Sequence, residues 1–325
     1  MSRYLVTGVA GFIAARVAEL LLANGHEVIG IDNLNEAYDV RMKNWRLERL
    51  KTSPGFRFIK TDISAREELD GLAEATQGAE AVFNLAARAG VRSSVADPWA
   101  YQQTNVIGAL NMLELCRRNS IPKFIQASSS SVYGENTPMP FREDANTDYP
   151  LQPYAASKKA SEVLAYTYHY LHDIDVTIFR YFTVYGPAAR PDMAMFRFTQ
   201  WIAEDRPVHM NGDGEQTRGF TYVDDIARGT ILGLKRVGYE IFNLGGHEVI
   251  SMNGLIRRME ELLGKKAQVI YEPRHMADAT GNQAAVDKAG EMLGWEPQVV
   301  LQDGVARLVD WYLQERSWTS QVVTG

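Results

Sequence analysis

The chain has 325 residues against a prior of roughly 150 per domain, so it forms one large domain or two that pack closely; 46% hydrophobic, 10% aromatic and 23% charged residues exclude a disordered, fibrous or collagen-like protein. A formal charge of −6 argues against a nucleic-acid footprint and against an anionic membrane surface. The single Cys116 excludes an intrachain disulfide and a thiolate metal cage, and neither a long signal-like apolar run nor a membrane-length one occurs, so a reducing cytoplasm is the expected compartment.

Residues 4–7 form a short β-prone run, 8–11 a glycine turn, and 12–23 an Ala- and Leu-rich stretch with apolar side chains at helical spacing. Gly25 punctuates the chain before a second buried strand at 27–31, which ends at Asp32. This βαβ unit carries Gly8, Gly11 and Ala14 in the pattern GxxGxxA. Its glycines let the backbone turn tightly and approach a pyrophosphate at the helix N-terminus, while a plain strand-to-helix turn with small packing residues has the same look. Asp32 stands where a carboxylate accepts hydrogen bonds from the adenosine ribose and repels a 2′-phosphate, which favours NAD over NADP. Asp62, after the run 56–60, suits either a polar contact to adenine or a helix N-cap.

Runs at 81–85, 123–127 and 176–180 alternate with helical stretches, the pattern of a parallel doubly wound sheet. Residues 127–134 read Ala-Ser-Ser-Ser-Ser-Val-Tyr-Gly. They place hydroxyls at the C-terminal edge of a strand, where open α/β folds bind ligands and where serines also satisfy their own backbone. Tyr154 and Lys158 are four residues apart in an Ala-rich helical run after Pro153 and so share one face. An ammonium beside a phenol that ordinarily ionises at about pH 10, together with the positive nicotinamide ring, favours the phenolate and makes Tyr154 a candidate base; an ordinary surface pair is the alternative. Past Gly186 the alternation weakens, and 240–244 reads as one more sheet strand. The expected architecture is α/β: a Rossmann-like doubly wound parallel sheet in a dinucleotide-binding domain at 1–182, to which about 219–248 return. A smaller α/β C-terminal lobe at 183–325 is expected to bind the nucleotide sugar.

In this order the glycine turn, Asp32, the serine run and Tyr154 with Lys158 resemble the extended short-chain dehydrogenase/reductase family over essentially the whole chain. The resemblance implies a catalytic triad of Ser129, Tyr154 and Lys158. It also implies NAD contacts from Gly8, Gly11, Phe12 and Ile13, from Asp32 and Asn33, from Asp62 and Ile63, from the strand end Leu85, Ala86 and Ala87, and from Tyr154 and Lys158. The segment 213–225 is similar to the one whose arginine, here Arg218, meets a nucleotide-sugar pyrophosphate, for which a guanidinium is a planar fork and a surface arginine the alternative. Asp278 matches the family's ribose-binding region, which is otherwise less regular at 274–278. Helices around 97–118 and 153–171 resemble those of the family's four-helix interface and imply a homodimer.

Segments 32–50, 89–94 and 182–194 are similar to the UDP-glucuronate 4-epimerase branch of that family. This implies an isomerase that takes UDP-glucuronate to UDP-galacturonate through a transient 4-keto sugar. In related dehydratases an Asp-Glu pair fills the positions of Ser130 and Ser131, decarboxylases carry Glu at Ser131, and neutral-sugar epimerases usually carry Asn at Thr183. Here Ser129, Ser130, Ser131 and Thr183 are expected to bond a hexuronate carboxylate, with Arg92 and Arg190 as charge partners or else exposed arginines. The alternatives are a UDP-glucose/UDP-galactose 4-epimerase and a UDP-glucuronate decarboxylase; a non-catalytic NAD-binding protein would usually lack the triad. The histidines show no metal spacing, and no metal, nucleic-acid or membrane partner is expected.

Overall fold

Apolar, β-prone runs pair in parallel to build the central sheet of the computed structural model, which describes residues 1–246, 248–273 and 281–324. In chain order these are β1 (Arg3–Thr7), β2 (Glu27–Asp32), β3 (Phe56–Lys60), β4 (Ala81–Asn84), β5 (Lys123–Ser129) and β6 (Asp175–Tyr181). The short β7 (Thr183–Tyr185), β8 (Val208–Asn211) and β9 (Thr217–Tyr222) follow, before β10 (Tyr239–Leu244) rejoins the main sheet; β11 (Glu248–Ser251) and β12 (Val269–Glu272) come last. The seven-stranded order is β10-β6-β5-β4-β1-β2-β3. From β1 the chain runs outward through β2 and β3, then crosses back to β4, so the switch point lies between β1 and β4. In open α/β sheets ligands bind at the C-terminal ends of the strands there.

Alternate residues of each strand point to opposite faces, and each face has its own core. Tyr4, Val6, Val28, Phe83 and Phe179 pack with Val17 and Leu21 of the helix Phe12–Ala23. Leu5, Ile29, Val82, Phe124 and Ile178 pack instead with Met112, Leu113 and Cys116 of the helix Gly108–Asn119 and with Ala165 of the long helix Pro153–His172. The first core continues into the C-terminal lobe through Trp201, Met259 and Tyr312, around the sheets β11-β9-β7 and β12-β8. Each expected main-sheet strand forms, with ends that differ by a residue or two.

Two expectations change in detail. The helical stretch around 97–118 is three pieces: Pro98–Tyr101, a π-helical turn Gln102–Ile107, and Gly108–Asn119. The return of 219–248 is divided, because the end of β9 stays in the small sheet while the helix Val223–Leu232 packs on Phe12–Ala23 and β10 joins β6. Among the described residues no helix is long and apolar enough to cross a membrane.

Candidate active site

A cleft of ≈ 670 Å³ runs along the C-terminal edge of the main sheet into the smaller lobe. At one end Gly8 has φ +67°, and a Cβ there would stand 2.7 Å from the Ala86 Cα. Only a glycine lets β1 pass this close to the end of β4. The Gly11 amide donates to the Gly8 carbonyl at 2.7 Å, closing the turn, and the helix Phe12–Ala23 begins with no side-chain cap. Its N-terminal amides, with the positive end of the helix dipole, suit a pyrophosphate. Asp32 is buried at the end of β2 and accepts from the amides of Ala10 at 3.1 Å and Leu34 at 2.8 Å, which orients its carboxylate on the cleft wall. Asp62 accepts from the Ser64 amide and hydroxyl at 2.8 and 2.7 Å and from Asn33 Nδ2 at 2.7 Å. Burial raises its carboxyl, but these bonds outweigh burial and hold it below the usual range. Asp62 thus shapes the turn before the short helix Arg66–Glu68, whose N-cap is Ala65, and lines the cleft as well. Phe12, Ile13, Asn33, Ile63, Leu85, Ala86 and Ala87 line the same stretch. These features fit a dinucleotide.

On β5, alternation sends neighbouring serines in different directions. Ser128 donates to the buried Glu162 at 2.6 Å, whereas Ser129 lines the cleft beside Tyr154 and accepts from the Ser131 amide at 3.2 Å. Tyr154 and Lys158 share the cleft face of Pro153–His172, as their spacing predicts. Lys158 is 2% exposed and donates to the Ala127 carbonyl at 2.9 Å. Burial pushes its ammonium down to about 8, with Glu162 pulling the other way. The Tyr154 phenol is raised by burial, and the groups opposing this are the Ser129 hydroxyl and the Arg190 guanidinium. In the protein alone Arg190 is a cation that acts on the Tyr154 phenol, while the Lys158 ammonium donates to a main-chain carbonyl. Asn105, in the π-helical turn, accepts from the Arg88 amide at 2.8 Å and donates to the Arg88 carbonyl at 3.0 Å and to Ser157 Oγ at 2.9 Å. It clamps the loop after β4 to the helix that carries Tyr154 and Lys158.

The remaining predicted residues meet at the other end of the cleft. Ser129, Ser130, Ser131 and Thr183 line it together with Arg92, Arg190 and Arg218. Arg190 is not a free surface arginine: it pairs with Asp192 at 2.5 Å and donates to the Ala89 carbonyl at 3.1 Å. Asp278 lies outside the described residues. Sequence reasoning missed Tyr38, Lys43, Arg46, Arg197 and Asn282. Lys43 donates to the Asn35 carbonyl at 2.8 Å, and burial lowers its ammonium while Asp32 opposes this. Arg197 lies over the Trp201 ring at 4.4 Å, and Asn282 donates to Ser130 Oγ at 3.3 Å. Lys43 and Arg46 had a legible signal, since both fall on the apolar stripe of a helix. Among the described residues no cluster of three or more His, Cys, Asp or Glu is placed to hold a metal ion.

The chain is similar to proteins of known chemistry along nearly its full length. It is 52% identical over 312 residues to the UDP-glucuronate 4-epimerase of Thermodesulfobacterium geofontis (strain OPF15), covering 96% of each chain. It is 39% identical over 329 residues to UDP-glucuronate 4-epimerase 4 of Arabidopsis thaliana, covering 95% of this chain and 75% of that one. The crystal structure of UDP-glucuronic acid 4-epimerase from Bacillus cereus in complex with UDP-glucuronic acid and NAD superposes with a TM-score of 0.91 at 36% identity, covering 96% of this chain and 99% of that one. Residues 4–245 match the NAD dependent epimerase/dehydratase family, a span that opens in β1 and closes just past β10, the first and last strands of the main sheet. With the whole cofactor sheet inside that match, the chain belongs to the NAD dependent epimerase/dehydratase family.

Proposed function

We propose that the protein is an NAD-dependent isomerase that inverts C4 of UDP-glucuronate to give UDP-galacturonate. The observation that carries this reading is the hydroxyl-lined rim formed by Ser129, Ser130, Ser131 and Thr183 beside Tyr154. Among the described cleft residues the carboxylates are Asp32 and Asp62 at the cofactor end and Asp192, already paired with Arg190. None stands at the serine turn to run an elimination, and the 52% identical relative has the proposed activity by name.

Bound NAD supplies a hydride acceptor and donor, and Gly8, Gly11 and Asp32 would hold it. Tyr154 takes the proton of the sugar 4-hydroxyl, relayed through Ser129, and returns one after the sugar has turned over. Lys158 fixes the Ala127 carbonyl beneath them. A 4-keto hexuronate loses CO₂ readily when its C5–C6 bond stands perpendicular to the carbonyl. Hydroxyls of Ser130, Ser131 and Thr183 that hold the carboxylate near the ring plane suppress that loss, with Arg92, Arg190, Arg218 and Asp278 assigned to the charged and ribosyl parts of the substrate.

The division into a dinucleotide domain at 1–182 and a substrate lobe at 183–325 belongs to the same reading. So does a homodimer, supported by side chains left open on adjoining helices: Trp99 is 80% exposed, Tyr170 76% and Leu171 61%. A reducing cytoplasm suits the lone Cys116, which is fully buried and whose thiol burial pushes far up.

The test is incubation of the purified protein with UDP-glucuronate and no added cofactor, followed by chromatography of the sugar nucleotides. UDP-galacturonate is the expected product. Mainly UDP-pentose would make it a decarboxylase, and activity on UDP-glucose alone would make it a neutral-sugar epimerase.

A further inference from the structure

Arg46 lies on the helix Val40–Lys51, whose buried face is formed by Met42, Lys43, Arg46, Leu47 and Leu50. It is 3% exposed. A buried guanidinium is costly unless its donors are satisfied, and ordinarily a carboxylate shares the burial. The acceptors of Arg46 are instead neutral. Nε and Nη2 fork onto the Ala188 carbonyl at 3.0 and 2.7 Å, and Nη1 donates to the Ala10 carbonyl at 2.8 Å and to the Tyr38 hydroxyl at 2.9 Å. Its charge is further spread over the Phe12 and Tyr38 rings, 5.9 and 5.7 Å away.

The two carbonyls come from opposite halves of the cleft. Ala10 is in the glycine turn, and its own amide holds Asp32. Ala188 is in the loop after β7, at φ +55°, a left-handed conformation that an alanine adopts only when its surroundings enforce it. Two residues further on, Arg190 bonds the Ala89 carbonyl, packs over the same Tyr38 ring at 5.9 Å and acts on the Tyr154 phenol. One guanidinium therefore joins the turn that would seat the cofactor to the loop that carries Arg190, which lines the cleft together with Tyr154.

We propose that Arg46 is a positioning residue: it latches the Arg190 loop onto the glycine turn and so sets Arg190 relative to Tyr154. This deepens the C4-epimerase reading and rests on it.

The test is a double-mutant cycle on the NAD-loaded enzyme with Arg46→Met, Arg190→Gln and both together. Arg46→Met should lower kcat for UDP-glucuronate at least about tenfold, since a displacement of about 1 Å in a reacting group costs up to about a hundredfold. NAD content per chain, measured after denaturation, should stay at the wild-type level, and KM should change much less than kcat. Adding Arg46→Met to Arg190→Gln should cost less than about twofold more, because residues acting in series are not additive. Arg46→Lys keeps the charge but reaches one carbonyl, so it should resemble Arg46→Met, and it replaces that variant in the cycle if the latter does not fold. Effects that multiply, or activity lost in proportion to NAD lost, overturn the proposal. The wild-type enzyme reports separately on the underlying reading: if it turns over only UDP-glucose, the substrate assignment fails and the cycle is read with that sugar.

Discussion

Glu162, one helical turn beyond Lys158, is the carboxylate that offsets the burial of that ammonium, and it is already committed elsewhere. Its two oxygens take the Arg180 guanidinium, both at 2.9 Å, and one also takes the Ser128 hydroxyl at 2.6 Å. A shared carboxylate compensates Lys158 incompletely. Burial consequently brings the Lys158 ammonium down to about 8, while the ion pair beneath it fixes Ser128 and, through the strand, the neighbouring Ser129.

Lys158→Met should raise heat stability at neutral pH. The Ala127 carbonyl keeps the Gln126 side-chain amide at 2.9 Å, so no buried acceptor is stranded. The drop from 10.5 to about 8 corresponds to about 3 kcal/mol of instability at about 1.4 kcal/mol per unit. The sign follows from proton counting: between about pH 8 and 10.5 the unfolded lysine keeps its proton and the folded one does not, so folded stability rises with pH across that window. The Tm advantage of Lys158→Met should shrink from pH 7 to 10. A constant advantage would contradict the depressed lysine.

Tyr154→Phe removes one hydroxyl from a site whose other contacts persist, since Ser129 retains its bond from the Ser131 amide at 3.2 Å and the Tyr101 ring still meets the Tyr154 ring edge-on at 6.0 Å. Binding of NAD and UDP-glucuronate should survive, while turnover falls at least about a hundredfold, the usual size of a general acid–base contribution. Steady-state rates together with calorimetric binding separate the two. Near-native turnover would remove Tyr154 from the chemistry.

Thr183→Ala should let the substrate carboxylate leave the ring plane. Loss of a hydrogen bond to a charged group weakens the restraint by about 1.5–3 kcal/mol, so the share of turnovers that end in UDP-4-keto-pentose, CO₂ and reduced nicotinamide should rise about ten- to a hundredfold over the wild type. Chromatography and near-ultraviolet absorbance read both products. An unchanged product ratio would show that Thr183 does not hold the carboxylate.

Trp99→Glu and Tyr170→Glu place charges on the exposed apolar surface of adjoining helices. Each should yield a monomer by light scattering at micromolar concentration where the wild type is a dimer, because burying an unpaired carboxylate in an interface is unfavourable. Unaltered mass in both variants, or a monomeric wild type, would place the interface elsewhere or nowhere.

The parts of the site that were legible in the sequence are local in the chain. Gly8, Gly11 and Asp32 fall within one βαβ unit, and Tyr154 and Lys158 within one helical turn, so spacing alone conveys their geometry. Arg46 is different: its partners Ala10 and Ala188 are far apart in sequence, and nothing in the periodicity of its helix says which carbonyls it will meet. The part that Arg190 plays toward Tyr154 was hidden for the same reason, since Arg190 arrives from another segment of the chain. The break at Gln102–Ile107 was hidden as well: the residues are ordinary helix formers, and Gly108, which packs where a Cβ would lie 2.7 Å from Ile63, reveals its constraint only in three dimensions.

The position of β10 at the outer side of β6 bears on biosynthesis. Its pairing runs from Tyr239 opposite Val176 to Leu244 opposite Tyr181, yet the chain visits the two smaller sheets in between. A nascent polypeptide that has emerged only as far as Phe182 therefore carries a sheet whose β6 margin is unpaired, the kind of edge that recruits stray strands. The main sheet is complete only once the segment through Leu244 has been made. The same arrangement makes a split between Phe182 and Tyr239 a natural point for fragment complementation: the second fragment would bring the missing strand back to the first.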